Sequence, residues 1–156
     1  MTDAVLAGEP APASGPVRAL HLAQVRWSDP DTMGHVNHAR YLSYFEDARM
    51  ALMATSPSGL AGAPAGRGHD DRGYIAARVA VDYLSAVEFT PGLTLRVETW
   101  VSRVGRSSWT LLAEMFDGDA VVARSECVIV AYSYEQRRSR PLDDDERTFW
   151  EGLVKQ

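Results

Sequence analysis

The sequence predicts an α+β domain in which a mostly antiparallel sheet of five strands wraps around one long helix. Two observations predict this class: residues 38–54 carry apolar side chains at helical spacing, and the segments after them alternate apolar and polar side chains. The resulting order is strand, helix, four strands and a short closing helix. One long helix among antiparallel strands can bury its apolar stripe only against the sheet.

The first strand is expected at Arg18–Trp27. Its apolar contacts are expected from Leu20, Leu22, Ala23 and Val25. A loop follows over Ser28–Asn37, because Pro30 and Gly34 favour turns.

The helix is expected at His38–Ala54, with its apolar stripe formed by Tyr41, Phe45, Ala48 and Leu52. Asn37 is a candidate N-cap, since its side chain can accept a hydrogen bond from a free backbone N–H. Pro57 and Gly59 end the helix. Ser58–Gly73 is a Gly-rich loop, longer than most connections, and is either a lid or disordered.

Four strands are expected after this loop, and each carries apolar residues on one face. These sets are Ile75, Ala77, Val79, Val81 and Tyr83; Leu93, Leu95, Val97 and Val101; Trp109, Leu111, Ala113 and Met115; and Val121, Ala123, Cys127 and Ile129. Asp117-Gly118 predicts a tight hairpin turn. Leu142–Val154 is the candidate closing helix, opened by Asp143 or Asp144.

Composition excludes some classes of protein and disfavours others. The 156 residues fit one domain, placed at 18–156, and the Ala-, Pro-, Gly- and Ser-rich residues 1–17 are expected to be a disordered tail. The longest apolar stretch, Cys127–Tyr132, is far shorter than the roughly 20 residues that span a bilayer. No secretion signal is evident, so a cytoplasmic location is expected. A net charge of −5 argues against a general nucleic-acid binder.

Local basic patches can still bind an anion in a protein of negative charge. Arg103 and Arg106 form one such cluster, and Arg137, Arg138 and Arg140 form another. By default these arginines are solvated charges.

The segment Arg26–Arg49 contains the candidate catalytic residues. It places Asp29 and Asp31 on a loop directly before the predicted helix start at His38. A helix N-terminus offers free N–H groups and a partial positive charge. A carboxylate beside such donors suits acyl transfer, where negative charge develops on a carbonyl oxygen. No G-x-S-x-G motif is present, and the single cysteine lies in mid-strand, so a Ser or Cys nucleophile lacks support.

The stretch RWSDPDTMGHVNHARYLSYFEDAR resembles the signature of the 4-hydroxybenzoyl-CoA thioesterase family of hot-dog proteins. VDYLSAVEF (Val81–Phe89) and GRSSW (Gly105–Trp109) are also similar to that family, and the resemblance covers about residues 18–142. It implies a metal-independent thioesterase whose sites form between two subunits, so no metal or cofactor is expected.

The resemblance also implies roles for individual residues. Asp31 matches the catalytic carboxylate, and His38 matches the position whose backbone N–H polarises the thioester carbonyl. Asn37 and Tyr41 are substrate-binding candidates, with Tyr41 in the core and lining an acyl pocket. Three further residues lie where some relatives contact the CoA nucleotide: Arg106, Ser107 and Ser108.

Structural interpretations stand beside these roles. Asp31 can cap a turn, and Asp29 is expected to pair with Arg26 or with backbone N–H groups. Glu46 is expected to pair with Arg49 at i+3, or else to point into a pocket. His35 is expected to be a packing residue. A metal site formed by Asp29, Asp31, His35 and His38 matches no known ligand spacing.

The leading hypothesis is an acyl-CoA thioesterase acting on a fatty or aromatic acyl group. The alternatives are an acyl carrier protein thioesterase, a hot-dog hydratase or dehydratase, and a module that binds acyl thioesters without cleaving them. A homodimer or homotetramer is expected, with sheets joined edge to edge or helices back to back, because a free sheet edge is a liability. The identity of the acyl group stays open.

Overall fold

The computed structural model describes residues 18–57 and 71–154. The predicted tail and residues 58–70 of the predicted loop lie outside these ranges. The elements are β1 (Ala19–Gln24), α1 (His38–Met53), β2 (Gly73–Tyr83), β3 (Thr94–Val104), β4 (Ser108–Asp117), β5 (Ala120–Ser133), β6 (Arg138–Ser139) and α2 (Asp144–Val154).

The strands form one antiparallel sheet in the order β1-β3-β4-β5-β2, with the two-residue β6 added to β5. Helix α1 packs mainly across β1, β3 and β4. The predicted α+β class, with a long central helix and a short C-terminal helix, is confirmed, and β6 is the one strand that was not expected.

Helix α1 begins where the sequence predicts. The side-chain oxygen of Asn37 accepts a hydrogen bond from the Ala39 N–H at 3.0 Å, which confirms the N-cap. The buried face contains the whole predicted stripe and is wider than expected: Tyr41, Tyr44, Phe45, Ala48, Leu52 and Met53. The helix ends at Met53, and the Ala54 N–H bonds to the Met50 carbonyl at 2.9 Å.

Strand β1 is shorter than predicted, and two of its expected core residues are wrong. Leu20 and Leu22 are 62% and 61% exposed, whereas Ala23 and Val25 are buried. Side chains alternate along a strand, and the face that carries Ala23 is the one covered by α1. The two leucines lie on the opposite face.

Strand β2 contains an irregularity that the alternation pattern does not reveal. The register with β5 shifts between Ala76 and Arg78, so Ala77 is an extra residue. Ile75 pairs with Val130 on the outer face of the sheet, so its predicted place beside Val79 is wrong. Val79 and Tyr83 are 40% and 47% exposed, because α1 packs over the other half of the sheet.

The β4–β5 hairpin confirms the predicted turn and shows a second shift of register. Asp117 pairs with Ala120, and Gly118 has a φ of 59°, a conformation that favours glycine. The shift between Met115 and Phe116 turns Val122 into the core together with Ala123. Val121, Ala123, Cys127 and Ile129 lie on this strand as predicted, but Val121 does not share the buried face of the other three.

An aromatic stack and a buried charged pair are two of the contacts that attach helix α2 to the domain. Trp150 stacks on Trp109 with ring centroids 4.7 Å apart. The fully buried Glu146 accepts two hydrogen bonds from Arg140, at 2.6 and 2.7 Å. Arg140 is therefore an internal partner rather than a solvated charge. Within the described ranges, neither helix has the length and hydropathy that crossing a membrane requires.

Replacing Glu146 by Ala is expected to lower the free energy of unfolding by about 3–5 kcal/mol, because Arg140 loses its bidentate partner in a buried environment. Urea denaturation measures the change. The matched control is Glu151→Ala, which breaks a surface pair with Arg147 at 3.4 Å and is expected to cost about 1 kcal/mol or less. Equal losses of unfolding free energy in the two variants would show that the buried pair stabilises the fold no more than the surface pair does.

Candidate active site

A buried aspartate holds the loop between β1 and α1. Oδ2 of Asp29 accepts hydrogen bonds from the Arg26 N–H at 2.8 Å and the Tyr44 hydroxyl at 2.6 Å. Nε of Arg40 lies 3.4 Å from Oδ1, and the Asp29 carbonyl accepts from the Asn37 N–H at 2.9 Å. Asp29 thus binds a backbone N–H, as predicted, and joins both ends of the loop to the helix.

The surroundings of Asp29 keep its carboxyl group ionised. Burial alone would raise its pKa, but the hydrogen bonds from Tyr44 and the Arg26 N–H, with the charge of Arg40, outweigh burial and lower the pKa below its usual value. Burial and the bond to Asp29 raise the pKa of Tyr44. The pair is therefore a carboxylate and a neutral phenol at neutral pH.

Asp31 lies two residues beyond this anchor, in a tight turn. Its Oδ1 accepts from the N–H groups of Met33 at 2.8 Å and His35 at 3.3 Å. Gly34 completes the turn with a φ of 82°. The turn-capping interpretation therefore holds for Oδ1. Oδ2 receives no hydrogen bond from residues 18–57 or 71–154, so it is available to a substrate or a water molecule.

The first turn of α1 presents a free backbone donor beside Asp31. The Ala39 N–H is taken by the Asn37 side chain, and the Arg40 N–H by the Asn37 carbonyl at 2.8 Å. The His38 N–H has no hydrogen-bond partner in the part of the chain that the structure describes. It lies at the positive end of the helix, where a developing negative charge is stabilised.

A cavity of about 320 Å³ lies at the start of α1, and we call it the Asp31 cavity. Its walls include Asp31, His35, His38, Tyr41, Tyr83 and Leu84. Asp31, His38 and Tyr41 are therefore brought together as the sequence predicts. Asn37 instead caps the helix beside the cavity and is absent from its lining.

Tyr83 is a residue of this cavity that the sequence analysis did not single out. Its hydroxyl donates to the His38 carbonyl at 3.0 Å, and its ring meets that of Tyr41 edge to face at 5.3 Å. It therefore fixes the first turn of α1 against β2. Its position within the family-like stretch Val81–Phe89 is the only indication that the sequence offers.

The second predicted group lies elsewhere in the subunit. Arg106 and Ser107 line a cleft of about 550 Å³, here called the polar cleft, together with Gln136, Arg138, Ser139 and Arg140. Ser108 lines a separate cavity of about 180 Å³. Arg106 of the first arginine cluster thus meets Arg138 and Arg140 of the second in one cleft, whereas Arg103 lines the cavity of Ser108. Asp31 does not line the polar cleft.

Glu46 and Arg49 line a further cavity, of about 160 Å³, near the end of α1. Their charged groups are 3.6 Å apart, so the predicted pair is confirmed and it also borders a pocket. Arg49 reaches Sγ of Cys127 at 3.5 Å. Burial raises the pKa of the Cys127 thiol, which disfavours the thiolate that a cysteine nucleophile needs.

Metal ligands are not grouped in the described part of the chain. Within residues 18–57 and 71–154, no three side chains of His, Cys, Asp or Glu are close enough to hold a metal ion.

Residues 25–149 match the model of the thioesterase-like superfamily. A thioesterase from Thermus thermophilus, solved in complex with coenzyme A and Zn, is 30% identical, with a TM-score of 0.69 over 86% of this chain and 97% of that one. A predicted thioesterase from Bacillus stearothermophilus is 24% identical, with a TM-score of 0.78 over 90% and 98% of the two chains.

A protein from Staphylococcus aureus, solved in complex with CoA, shares the fold at 15% identity, with a TM-score of 0.80 over 94% of this chain and 90% of that one. No curated protein matches the sequence.

Replacing Tyr44 by Phe is expected to lower the free energy of unfolding at pH 7 by about 1.5–3 kcal/mol, because the buried Asp29 loses a hydrogen bond to its charged form. Because the pKa of Asp29 is lowered in the folded state, the stability that its carboxylate contributes is fully present above the usual pKa of 3.8. That stability is lost as the pH falls through the lower pKa of the folded state. The difference between wild type and variant should therefore shrink on acidification, as measured by urea denaturation at pH 7 and pH 3.

The control is Tyr132→Phe, which removes a hydroxyl that makes no hydrogen bond within the described residues. It should change stability little at either pH. A Tyr44→Phe effect that does not depend on pH would contradict the role given to Asp29.

Proposed function

Because the chain belongs to the thioesterase-like superfamily, we propose that it hydrolyses acyl thioesters of coenzyme A, with Asp31 as the catalytic carboxylate. One observation carries the proposal: the same cavity is lined by Asp31, whose Oδ2 has no protein partner in the described residues, and by His38, the first residue of α1. Thioester hydrolysis needs both parts, a base or nucleophile and a donor to the carbonyl oxygen.

In the proposed reaction the thioester carbonyl accepts a hydrogen bond from the His38 N–H. Such a donor stabilises the oxyanion of the transition state by about 3–4 kcal/mol. Oδ2 of Asp31 takes a proton from a water molecule whose oxygen attacks the carbonyl carbon, or it attacks that carbon itself and water then cleaves the anhydride. The C–S bond breaks and the electron pair leaves on the CoA thiolate, so a strong general acid is unnecessary.

The polar cleft supports coenzyme A as the carrier. Arg106 and Arg138 both border it, and guanidinium groups suit the phosphates of the nucleotide. Two of the structural neighbours were solved with CoA bound. An acyl carrier protein remains the alternative carrier, and a module that binds without hydrolysis remains the alternative to an enzyme. Turnover of free acyl-CoA supports the first hypothesis, and turnover of an acyl carrier protein thioester separates the other two.

The proposal includes a homodimer formed through β2. This eleven-residue strand is at the end of the sheet, and its outer edge is unpaired within the described residues. Val79 and Tyr83 are also exposed on its inner face. A second copy of β2 would pair the free backbone groups and cover these side chains. Two such dimers could associate further into the homotetramer.

A two-fold axis pairs β2 with itself in antiparallel orientation. The Tyr83 end of one strand then lies beside the Gly73 end of the other. The Asp31 cavity of each subunit would thus be completed by its neighbour, which fits a site formed between two subunits.

The Asp31→Asn variant is expected to lose about 10²–10⁴-fold in kcat, because the amide keeps the shape of the carboxylate but cannot act as a base. Thiol release from a panel of short, medium, long and aromatic acyl-CoAs measures turnover. The matched control is Asp119→Asn in the exposed β4–β5 turn, which should leave turnover unchanged. Normal turnover in Asp31→Asn would rule out the mechanism.

Sedimentation equilibrium is expected to give a particle mass of about 34 kDa or more, at least twice the chain mass of 17.1 kDa. Val79→Glu should weaken the association, because it places two carboxylates, one from each copy, in the proposed β2 seam. Leu22→Glu, at an exposed position on the opposite edge strand, is the control. Dissociation by the Leu22 variant alone would place the interface at β1 instead.

A further inference from the structure

The cavity lined by Glu46 and Arg49 has features that the proposed reaction does not use. We call it the methionine cavity, after Met50 and Met53 on α1; the opposite wall is formed by Tyr74, Ile129 and Tyr134. Most of this lining is apolar, which suits the hydrocarbon part of an acyl group. The charged pair of Glu46 and Arg49 interrupts it at one side.

Arg49 is unusual in such a lining. Its side chain is only 11% exposed, and its partners are Glu46, at 3.6 Å, and Sγ of Cys127, at 3.5 Å. A guanidinium carries five N–H donors, and a thiol sulfur is a weak acceptor. Arg49 therefore has donor capacity that a ligand oxygen in the cavity can use.

In one subunit the methionine cavity is remote from Asp31. On α1 the Asp31 cavity is lined by His38 and Tyr41 and the methionine cavity by residues from Glu46 to Met53, so the midpoints of the two linings are about 15 Å apart at 1.5 Å per residue. They also border opposite ends of β2, at Tyr83 and at Tyr74. In the proposed dimer, antiparallel pairing of β2 with its copy would place the Tyr74 end of the partner's strand, and with it the partner's methionine cavity, on the side of the Asp31 cavity.

We propose that the methionine cavity of the partner subunit binds the far end of the acyl group, and that this group is a short chain of about six carbons ending in a hydroxyl. The inference deepens the proposed function and rests on it. A cavity of about 150 Å³ holds a six-carbon ring, and this cavity measures about 160 Å³.

The charged pair selects the hydroxyl. A hydroxyl oxygen accepts from Arg49 while its hydrogen is donated to Glu46, so one group satisfies both side chains. A terminal carboxylate would meet Arg49 but would also be repelled by Glu46. A terminal methyl group would displace water from Arg49, whose side chain is largely buried, and offer no hydrogen bond in return.

The test measures kcat/KM for hexanoyl-, 6-hydroxyhexanoyl-, adipoyl- and dodecanoyl-CoA. Wild type should favour 6-hydroxyhexanoyl-CoA over hexanoyl-CoA by about tenfold to hundredfold, the range of a hydrogen bond to a charged group. Arg49→Met should abolish this preference, and Arg49→Lys should keep part of it. The matched control is Arg124→Met on the outer face of the sheet, which should keep the full preference.

Several outcomes would overturn the inference while leaving the proposed function in place. They are equal rates for the hydroxylated and plain six-carbon chains, an equal loss on all four substrates in Arg49→Met, or a best rate with dodecanoyl-CoA. Thermal unfolding of each variant shows whether it is folded. If wild type cleaves no acyl-CoA at all, the proposed function fails and this inference fails with it.

Discussion

The buried carboxylate of Asp29 determines where the loop before α1 can lie. Its oxygens bind the end of β1 through Arg26, the helix through Tyr44 and Arg40, and its carbonyl binds Asn37. A charge in this position is stable only while these donors stay in place. These contacts fix the position of Asp31 relative to the start of α1. The Asp31 cavity therefore depends on Asp29, although Asp29 does not line it.

Helix α1 has three functions along its length. Its first turn supplies the free N–H, its middle buries an apolar stripe over β1, β3 and β4, and its last turns form a wall of the methionine cavity. Because the helix covers only part of the sheet, Val79 and Tyr83 on the inner face of β2 stay exposed among the described residues. The same placement therefore buries the core on one side and leaves apolar surface on the other.

Features that depend on residues close in sequence could be predicted, and features that depend on pairing could not. The Asn37 cap, the stripe of α1 and the turn at Gly118 follow from local chemistry, and Asp31 and His38 lie within one motif. The extra residues Ala77 and Val122 are defined only relative to a neighbouring strand. Tyr83 meets His38 across 45 positions, so no local pattern identifies it.

The extra residue at Ala77 also bears on the fate of the free edge. A bulge bends its strand and increases the local right-handed coiling, so the rim of the sheet departs from a plane there. A flat strand from an unrelated chain pairs less readily with such a rim. A bulge on an edge strand is one of the features by which sheet proteins avoid the edge-to-edge association that builds fibrils.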